Sequence, residues 1–310
     1  MNDTTSLDPW FVTGFCDGES NFLVSITSRP DSKFKLRVIV YFQIYLSIKE
    51  MPLLLSLQKF FGGVGTINKD LKSNRAFYVV RKPSDLLKVI VPHFQSYPLI
   101  TQKRKDFILW SKIVKMMNKK EHLTKQGLDL IIKMKAFINR GVSEKFKELS
   151  SLSLLKDLFK EFEEVSVDTT DLEFNITSIP SPYWIVGFVA AEGSFSASPY
   201  NEKQKAYRAR FMITQHERDL ALLELIASYL GTGGIYKVGI SAFNYEISSY
   251  KKNYEIILPF FLKYPLPSVS LKATNFSIWR QILEILYSGL HKTSPGHKSE
   301  LDKFISQINK

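Results

Sequence analysis

A single cysteine, Cys16, among 310 residues excludes an intramolecular disulfide and any zinc site built on thiolates. It fits a reducing compartment. Long apolar runs are also missing: none approaches the roughly 18–20 residues needed to cross a bilayer, because Lys, Gly or Pro interrupts each one. A soluble chain with no membrane-spanning segment is expected. The start, Met1 to Pro9, has neither a basic segment ahead of an apolar core nor the Arg-rich, acid-poor character of a transit peptide. A protein of an organelle with such a start is made there or lacks its presequence. There is no low-complexity tract, and only 13 prolines, so the composition is that of a packed globular protein. His93, His122, His216, His291 and His297 lack close metal-ligand pairing, and no zinc is assigned.

Positive charge is what the chain has in excess. The 42 Lys+Arg against 30 Asp+Glu give +12 and a pI near 9.5, which points to a polyanionic partner, either nucleic acid or an acidic membrane surface. Length alone permits two ordinary domains or one larger one.

An internal repeat decides for two. Trp10-Phe-Val-Thr-Gly14, continuing through Glu19 to Phe22, is echoed by Trp184-Ile-Val-Gly187, Glu192 and Phe195 at a constant offset of 173 for Gly14, Glu19 and Phe22. Phe42-Gln-Ile and Phe61-Gly62 then match Phe211-Met-Ile and Leu230-Gly231 at an offset of 169. Tyr97-Pro-Leu answers Tyr264-Pro-Leu, Phe107 and Trp110 answer Phe276 and Trp279, and His122 approximately answers His291. The expected organisation is a first half over 1–140, a linker with one helix over 141–181 and a second half over 182–310.

Within a half the pattern predicts a helix over 9–18 opened by Asp8-Pro9, strands over 21–27 and 36–46, and a helix over 51–61 stopped by Gly62-Gly63. A hairpin over 64–70 and 75–82, then helices over 84–94, 102–119 and 125–139, complete it. Leu152, Leu155, Leu158, Phe159 and Phe162 have helical spacing in the linker. The fold class expected is α+β.

The first helix of each half is built of small and apolar residues: Thr13, Gly14, Cys16 and Gly18 in one, Val186, Gly187, Ala190 and Ala191 in the other. Such helices can approach closely, and if they pack together Glu19 and Glu192 meet at their C-terminal ends. Two carboxylates at negative helix ends repel, so a shared cation is the natural occupant. Carboxylate plus backbone carbonyl suits Mg²⁺, with the carbonyls of Gly18 and Ala191 as the nearest further ligands. Such an ion could stabilise both oxygens of a phosphodiester displacement. A lone glutamate is usually a solvated surface residue; duplication inside an apolar motif reverses that expectation. Asp17, whose counterpart is Ala190, is expected to be solvated or capping.

Val12-Thr-Gly-Phe-Cys-Asp-Gly-Glu-Ser and Ile185-Val-Gly-Phe-Val-Ala-Ala-Glu-Gly resemble the two motifs of a single-chain LAGLIDADG homing endonuclease of the fungal mitochondrial, intron-encoded type. The resemblance covers nearly the whole chain. It implies two pseudo-symmetric αββαββα halves forming a saddle with two four-stranded antiparallel sheets. It also implies a monomer that cuts double-stranded DNA at a long, non-palindromic target with Mg²⁺, for which Ca²⁺ or Mn²⁺ could substitute in the site. Glu19 and Glu192 would be the metal ligands. By the same resemblance a glutamine late in the second strand, Gln215, and a lysine at a later helix start, Lys103 and Lys272, would assist near the scissile phosphate, with Lys49 a weaker candidate. Leu46 stands where the first half would have its glutamine, and Ser20 replaces the glycine after the motif.

Strand parity assigns Phe22, Val24, Ile26, Phe42 and Ile44 to the core. Asn21, Ser25, Thr27, Arg37, Tyr41, Gln43, Thr66, Asn68, Arg75 and Phe77 then face outward, as do Ser194, Ser196, Ser198, Arg208, Arg210 and Lys237 in the second half. Such a β-ribbon suits base edges in the major groove; the plainer alternative is the solvated side of an amphipathic sheet. Two rivals to a nuclease remain: an RNA maturase that binds structured intron RNA, and a DNA-binding protein without catalysis. The wealth of Lys, Ile, Phe, Tyr and Asn matches A+T-rich codons and suggests an organelle-encoded, mitochondrial product.

Overall fold

The computed structural model describes residues 6–139, 172, 174–201 and 206–308; the linker helix expected near 152–162 lies outside them. The first repeat runs α1 (Pro9–Glu19), β1 (Ser20–Ser28), β2 (Leu36–Ser47), α2 (Met51–Phe60), β3 (Thr66–Asp70) and β4 (Arg75–Val80). After it come α3 (Pro83–Asp85), α4 (Val91–Ser96), α5 (Lys103–Asn118) and α6 (Lys125–Ala136). The second gives α7 (Pro182–Glu192), β5 (Gly193–Asn201), β6 (Ala206–His216), α8 (Leu220–Leu230), β7 (Gly234–Val238) and β8 (Ala242–Ile247). It ends with α9 (Tyr250–Lys252), α10 (Leu258–Lys263), α11 (Leu271–Ser288), α12 (Leu290–Thr293) and α13 (Pro295–Ile308). Two four-stranded antiparallel sheets result, ordered β1-β2-β4-β3 and β5-β6-β8-β7.

The chain divides into two compact units. One comprises Met1–Glu19, Lys49–Ser56 and Ile176–Lys310; the other comprises Ser20–Ile48 and Leu57–Asn175. The helix α1, which opens the first repeat, therefore belongs to the unit built on the second.

Each unit has its own aromatic core, and the two cores use equivalent residues. Phe22 stands 5.1 Å from Trp110 and 5.3 Å from both Phe94 and Phe107. Phe195 stands 5.0 Å from Trp279, 5.5 Å from Phe261 and 5.4 Å from Phe276. Offset-tilted and edge-on rings at these spacings each contribute about 0.5–1.5 kcal/mol beyond the area they bury. The Tyr78 hydroxyl donates to the Val64 carbonyl and that of Tyr245 to the Thr232 carbonyl, both at 2.9 Å, pinning the turn after α2 and after α8.

Alternation sets the strands. Along β2 every second residue from Leu36 to Leu46 is buried, and β1 pairs with it from Ser20 opposite Ile44 to Ser28 opposite Leu36. The four-residue change of offset falls in the first hairpin: Phe22 in β1 and Phe195 in β5 differ by 173, whereas Phe42 in β2 and Phe211 in β6 differ by 169.

The helix expected over 84–94 is interrupted. Pro92 and Pro259 carry no N–H, so the preceding turn cannot close in α-helical register. It widens instead to a π turn over Leu86–Ile90, with Val91 N–H on the Leu86 carbonyl, and over Asn253–Ile257, with Leu258 N–H on the Asn253 carbonyl.

Candidate active site and nucleic-acid interface

Both motif helices start the same way. Asp8 accepts from Trp10 N–H at 2.8 Å ahead of Pro9, and Ser181 accepts from Tyr183 N–H at 3.2 Å ahead of Pro182. They pack against each other through glycines. A Cβ on Gly14 would lie 2.9 Å from the Trp184 carbonyl carbon and 3.0 Å from Phe188 N; one on Gly187 would lie 2.7 Å from Phe15 N. These are backbone atoms, so no side chain fits between the helices.

The same contact continues to their ends. A Cβ on Gly18 would meet the Ala191 side chain, and would lie 3.0 Å from Glu192 Cγ and 3.1 Å from its Oε1. The Glu192 carboxylate thus lies against the last turn of α1, whose final residue is Glu19. Ser20 leaves the register intact: it pairs with Ile44 as Gly193 pairs with Ile213.

Asp17 is corrected. It is 4% exposed, and its Oδ2 accepts from the indole N–H of buried Trp184 at 2.8 Å, across the helix pair. It locks the two motif helices together instead of facing solvent.

Lys272 opens α11 and stands half-buried beside the carboxylates, its ammonium donating to the Gly193 carbonyl. Burial lowers its pKa; Glu50, then Glu192, then Glu19 oppose this. Glu50 was not anticipated. It ends the turn Ile48–Glu50 after β2, and burial raises its pKa while its bond from Leu271 N–H and the charge of Lys272 pull it back. Lys103 opens α5 in the other unit, its N–H on Thr101 Oγ1 at 3.2 Å, and Lys49 is exposed. Gln215 is half-buried next to the end of β6, while Leu46, its counterpart in β2, is 8% exposed.

Among the described residues no three His, Cys, Asp or Glu side chains gather as a metal cage. The Glu192 carboxylate lies against Gly18, and both it and Glu19 act on the Lys272 ammonium; carboxylates are hard oxygen donors that suit Mg²⁺ or Ca²⁺ retaining waters or substrate oxygens.

On the first sheet, Asn21, Ser25 and Thr27 share one face with Arg37, Tyr41, Gln43, Arg75, Phe77, Thr66 and Asn68 by strand register. Tyr45 joins them, stacked on Phe77 at 5.5 Å with the Arg75 guanidinium 5.2 Å above it. Arg81 lies 5.7 Å over Tyr41. Tyr45 could have been found from its parity with Tyr41 and Gln43, and Arg81 from its parity with Arg75 and Phe77 within the strand expected over 75–82, although the observed strand ends at Val80. On the second sheet Ser194, Ser196 and Ser198 face Met212, Arg210 and Arg208, with Thr214 donating to Asn244 at 2.8 Å on the same face. Lys237 is corrected: it pairs with Phe243, opposite Gln215, and lies on the other face, while Tyr236, paired with Asn244, takes the outward position.

The model of the LAGLIDADG endonuclease family matches residues 12–114 and 185–283. The chain belongs to the LAGLIDADG endonuclease family. It is 34% identical over 303 residues to probable intron-encoded endonuclease 3 of Neurospora crassa, a match covering 96% of this chain and 54% of that protein. Probable intron-encoded endonuclease 2 of the same fungus is 31% identical, with 98% and 65% covered. The chain thus spans about half to two thirds of the length of these curated relatives. The I-SmaMI LAGLIDADG homing endonuclease bound to cleaved DNA superposes with a TM-score of 0.86 at 32% identity, covering 97% of each chain. I-SmaMI bound to its uncleaved DNA target in the presence of calcium ions gives 0.87 at 33%, with 98% and 99% covered. This LAGLIDADG chain also contains no helix, among the described residues, long and apolar enough to cross a membrane.

Proposed function

We propose that this chain is a monomeric, Mg²⁺-dependent homing endonuclease that cuts both strands of double-stranded DNA at one long, non-palindromic target. The observation that carries the proposal is the close approach of the two motif helices, with the Glu192 carboxylate lying against Gly18, next to Glu19. Glu19 and Glu192 would hold a divalent ion with the carbonyls of Gly18 and Ala191. Bound there, the ion would lower the charge on the scissile phosphate and favour hydroxide over water as the attacking group.

The chain's own residues do the rest. Lys272, kept near the pair, would offer a positive charge to the phosphate oxygens, and a donor of this kind is worth about 10²–10³ in rate. Lys103 would do the same in the first half. Gln215 would orient water on one side only, since Leu46 cannot, so the two strands would be cut at different rates. The outward faces of the sheets would read base edges, and the excess of basic side chains would neutralise phosphates. The fungal relatives named as intron-encoded endonucleases support a mitochondrial, intron-encoded origin.

The test is cleavage of a randomised duplex library with Mg²⁺, alongside Glu19→Gln and Glu192→Gln. Each substitution is expected to slow double-strand cutting by at least about 100-fold, since a metal ligand is worth several kcal/mol. Undiminished cutting by both variants would refute the assignment.

A further inference from the structure

Glu50 comes from the first repeat, yet both of its carboxylate oxygens accept from Leu271 N–H at the start of α11, at 3.1 and 3.2 Å. The helix does not need this acceptor in order to begin. Ser270 already caps α11, its hydroxyl accepting from Ala273 N–H at 3.1 Å. What Glu50 adds is a tether and a negative charge. The residue after Leu271 is Lys272, whose ammonium donates to the carbonyl of Gly193, the residue that follows Glu192. Of the carboxylates acting on that ammonium, Glu50 acts most strongly.

The position is also duplicated. Asp219, 169 residues further on, ends the turn Glu217–Asp219 after β6 and is 6% exposed. A buried or half-buried carboxylate at this place is therefore a property of both copies, as it is at Glu19 and Glu192.

We propose that Glu50 is a positioning residue: its tie to Leu271 fixes the first turn of α11 so that Lys272 is held beside the carboxylate pair. The inference rests on the function proposed above and acts through Lys272. A lysine has a long, flexible stem, so an ammonium is useful at a reacting phosphate only if its backbone is anchored and its rotamers are limited.

The test compares Glu50→Ala with Glu50→Gln in the full chain. Hydrogen exchange at the Leu271 amide, measured without metal or DNA, is expected to speed up about tenfold or more in E50A. It is expected to stay within about threefold in E50Q, whose side-chain carbonyl still accepts. Single-turnover cleavage of the selected target is expected to fall about tenfold in E50A while affinity for that duplex in Ca²⁺ stays within about threefold. In a Lys272→Ala background the same change is expected to cost no more than about twofold, because the two residues act as a unit. Unchanged Leu271 exchange in E50A, or losses that multiply in the double variant, would overturn the proposal. If the wild type binds duplexes and cuts none, the nuclease reading falls, while the exchange comparison still decides whether the tie exists.

Discussion

Adding one methyl group at Gly187 tests whether the helix pair sets the distance between the two motif glutamates. An alanine Cβ there would lie 2.7 Å from Phe15 N and 2.8 Å from the Phe11 carbonyl carbon, where ordinary contact begins at 3.4 Å. Both are backbone atoms of α1, so no side chain can swing aside and the helices must part by about 1 Å. Overpacking of this kind costs about 2–3 kcal/mol, a fall in Tm of roughly 5–10 °C. The same displacement separates Glu192 from Glu19, and misplacing reacting groups by about 1 Å costs roughly 100-fold in rate. Gly187→Ala is therefore expected to lose about 100-fold in single-turnover cleavage, or about 2.7 kcal/mol, alongside a comparable loss of stability measured by thermal unfolding of the same preparation. Gly296→Ala is the control: its Cβ would meet only Ser294 Oγ, at 3.8 Å, in the first turn of α13, so a gain of about 0.4–1 kcal/mol is expected. A Gly187→Ala protein that melts within a degree or two of wild type and cuts at the wild-type rate would refute the reasoning.

Three further outcomes are expected. Asp17→Ala leaves the Trp184 indole N–H buried without its acceptor and should cost about 1–3 kcal/mol by urea unfolding, whereas Asp17→Asn, which keeps an oxygen there, should cost less than half as much. Burial among Phe60, Phe61 and Phe94 lowers the His93 pKa from 6.5 to about 4, so the folded state holds this ring neutral where the unfolded chain would protonate it. The associated stability, up to about 3 kcal/mol, is fully present above pH 6.5 and drains away as pH falls towards 4; His93→Phe should remove that part of the slope in unfolding free energy measured at pH 7 and pH 5. Leu23, Ile39, Tyr45 and Phe77 share the outward face of the first sheet, and apolar groups can select only the thymine methyl in the major groove. Uracil in place of thymine throughout that half of the selected target should weaken binding more than the same change in the other half; equal effects would show that these side chains do not read bases.

The strands and the glutamate pair were legible because both are periodic. Alternation over β2 fixes its parity residue by residue, and Glu19 and Glu192 stand out because a motif at fixed spacing occurs twice. Asp17 was not legible for the complementary reason: Ala190 occupies the equivalent position, so the bond to Trp184 has no echo in the sequence. Lys237 was misplaced because β7 is a short edge strand, exposed from Tyr236 to Val238, and offers no apolar alternation from which parity can be counted. Glu50 is hidden by distance, 221 residues from the N–H it binds. The π turns could have been suspected, since Pro92 and Pro259 each stand inside an otherwise helical stretch.

The placement of α1 in the unit built on the second repeat also has a consequence for synthesis. Gly14 emerges from the ribosome 173 residues ahead of Gly187, the residue it packs across from. At about 5–20 residues per second that is a wait of roughly 10–35 s. During that interval the apolar stretch Trp10–Phe15 has no α7 to cover it, although the sheet of the first repeat is already complete in sequence and free to fold. The nascent chain is therefore open to misassociation at this stretch until α7 is complete, when closing the helix pair brings Glu192 against the end of α1.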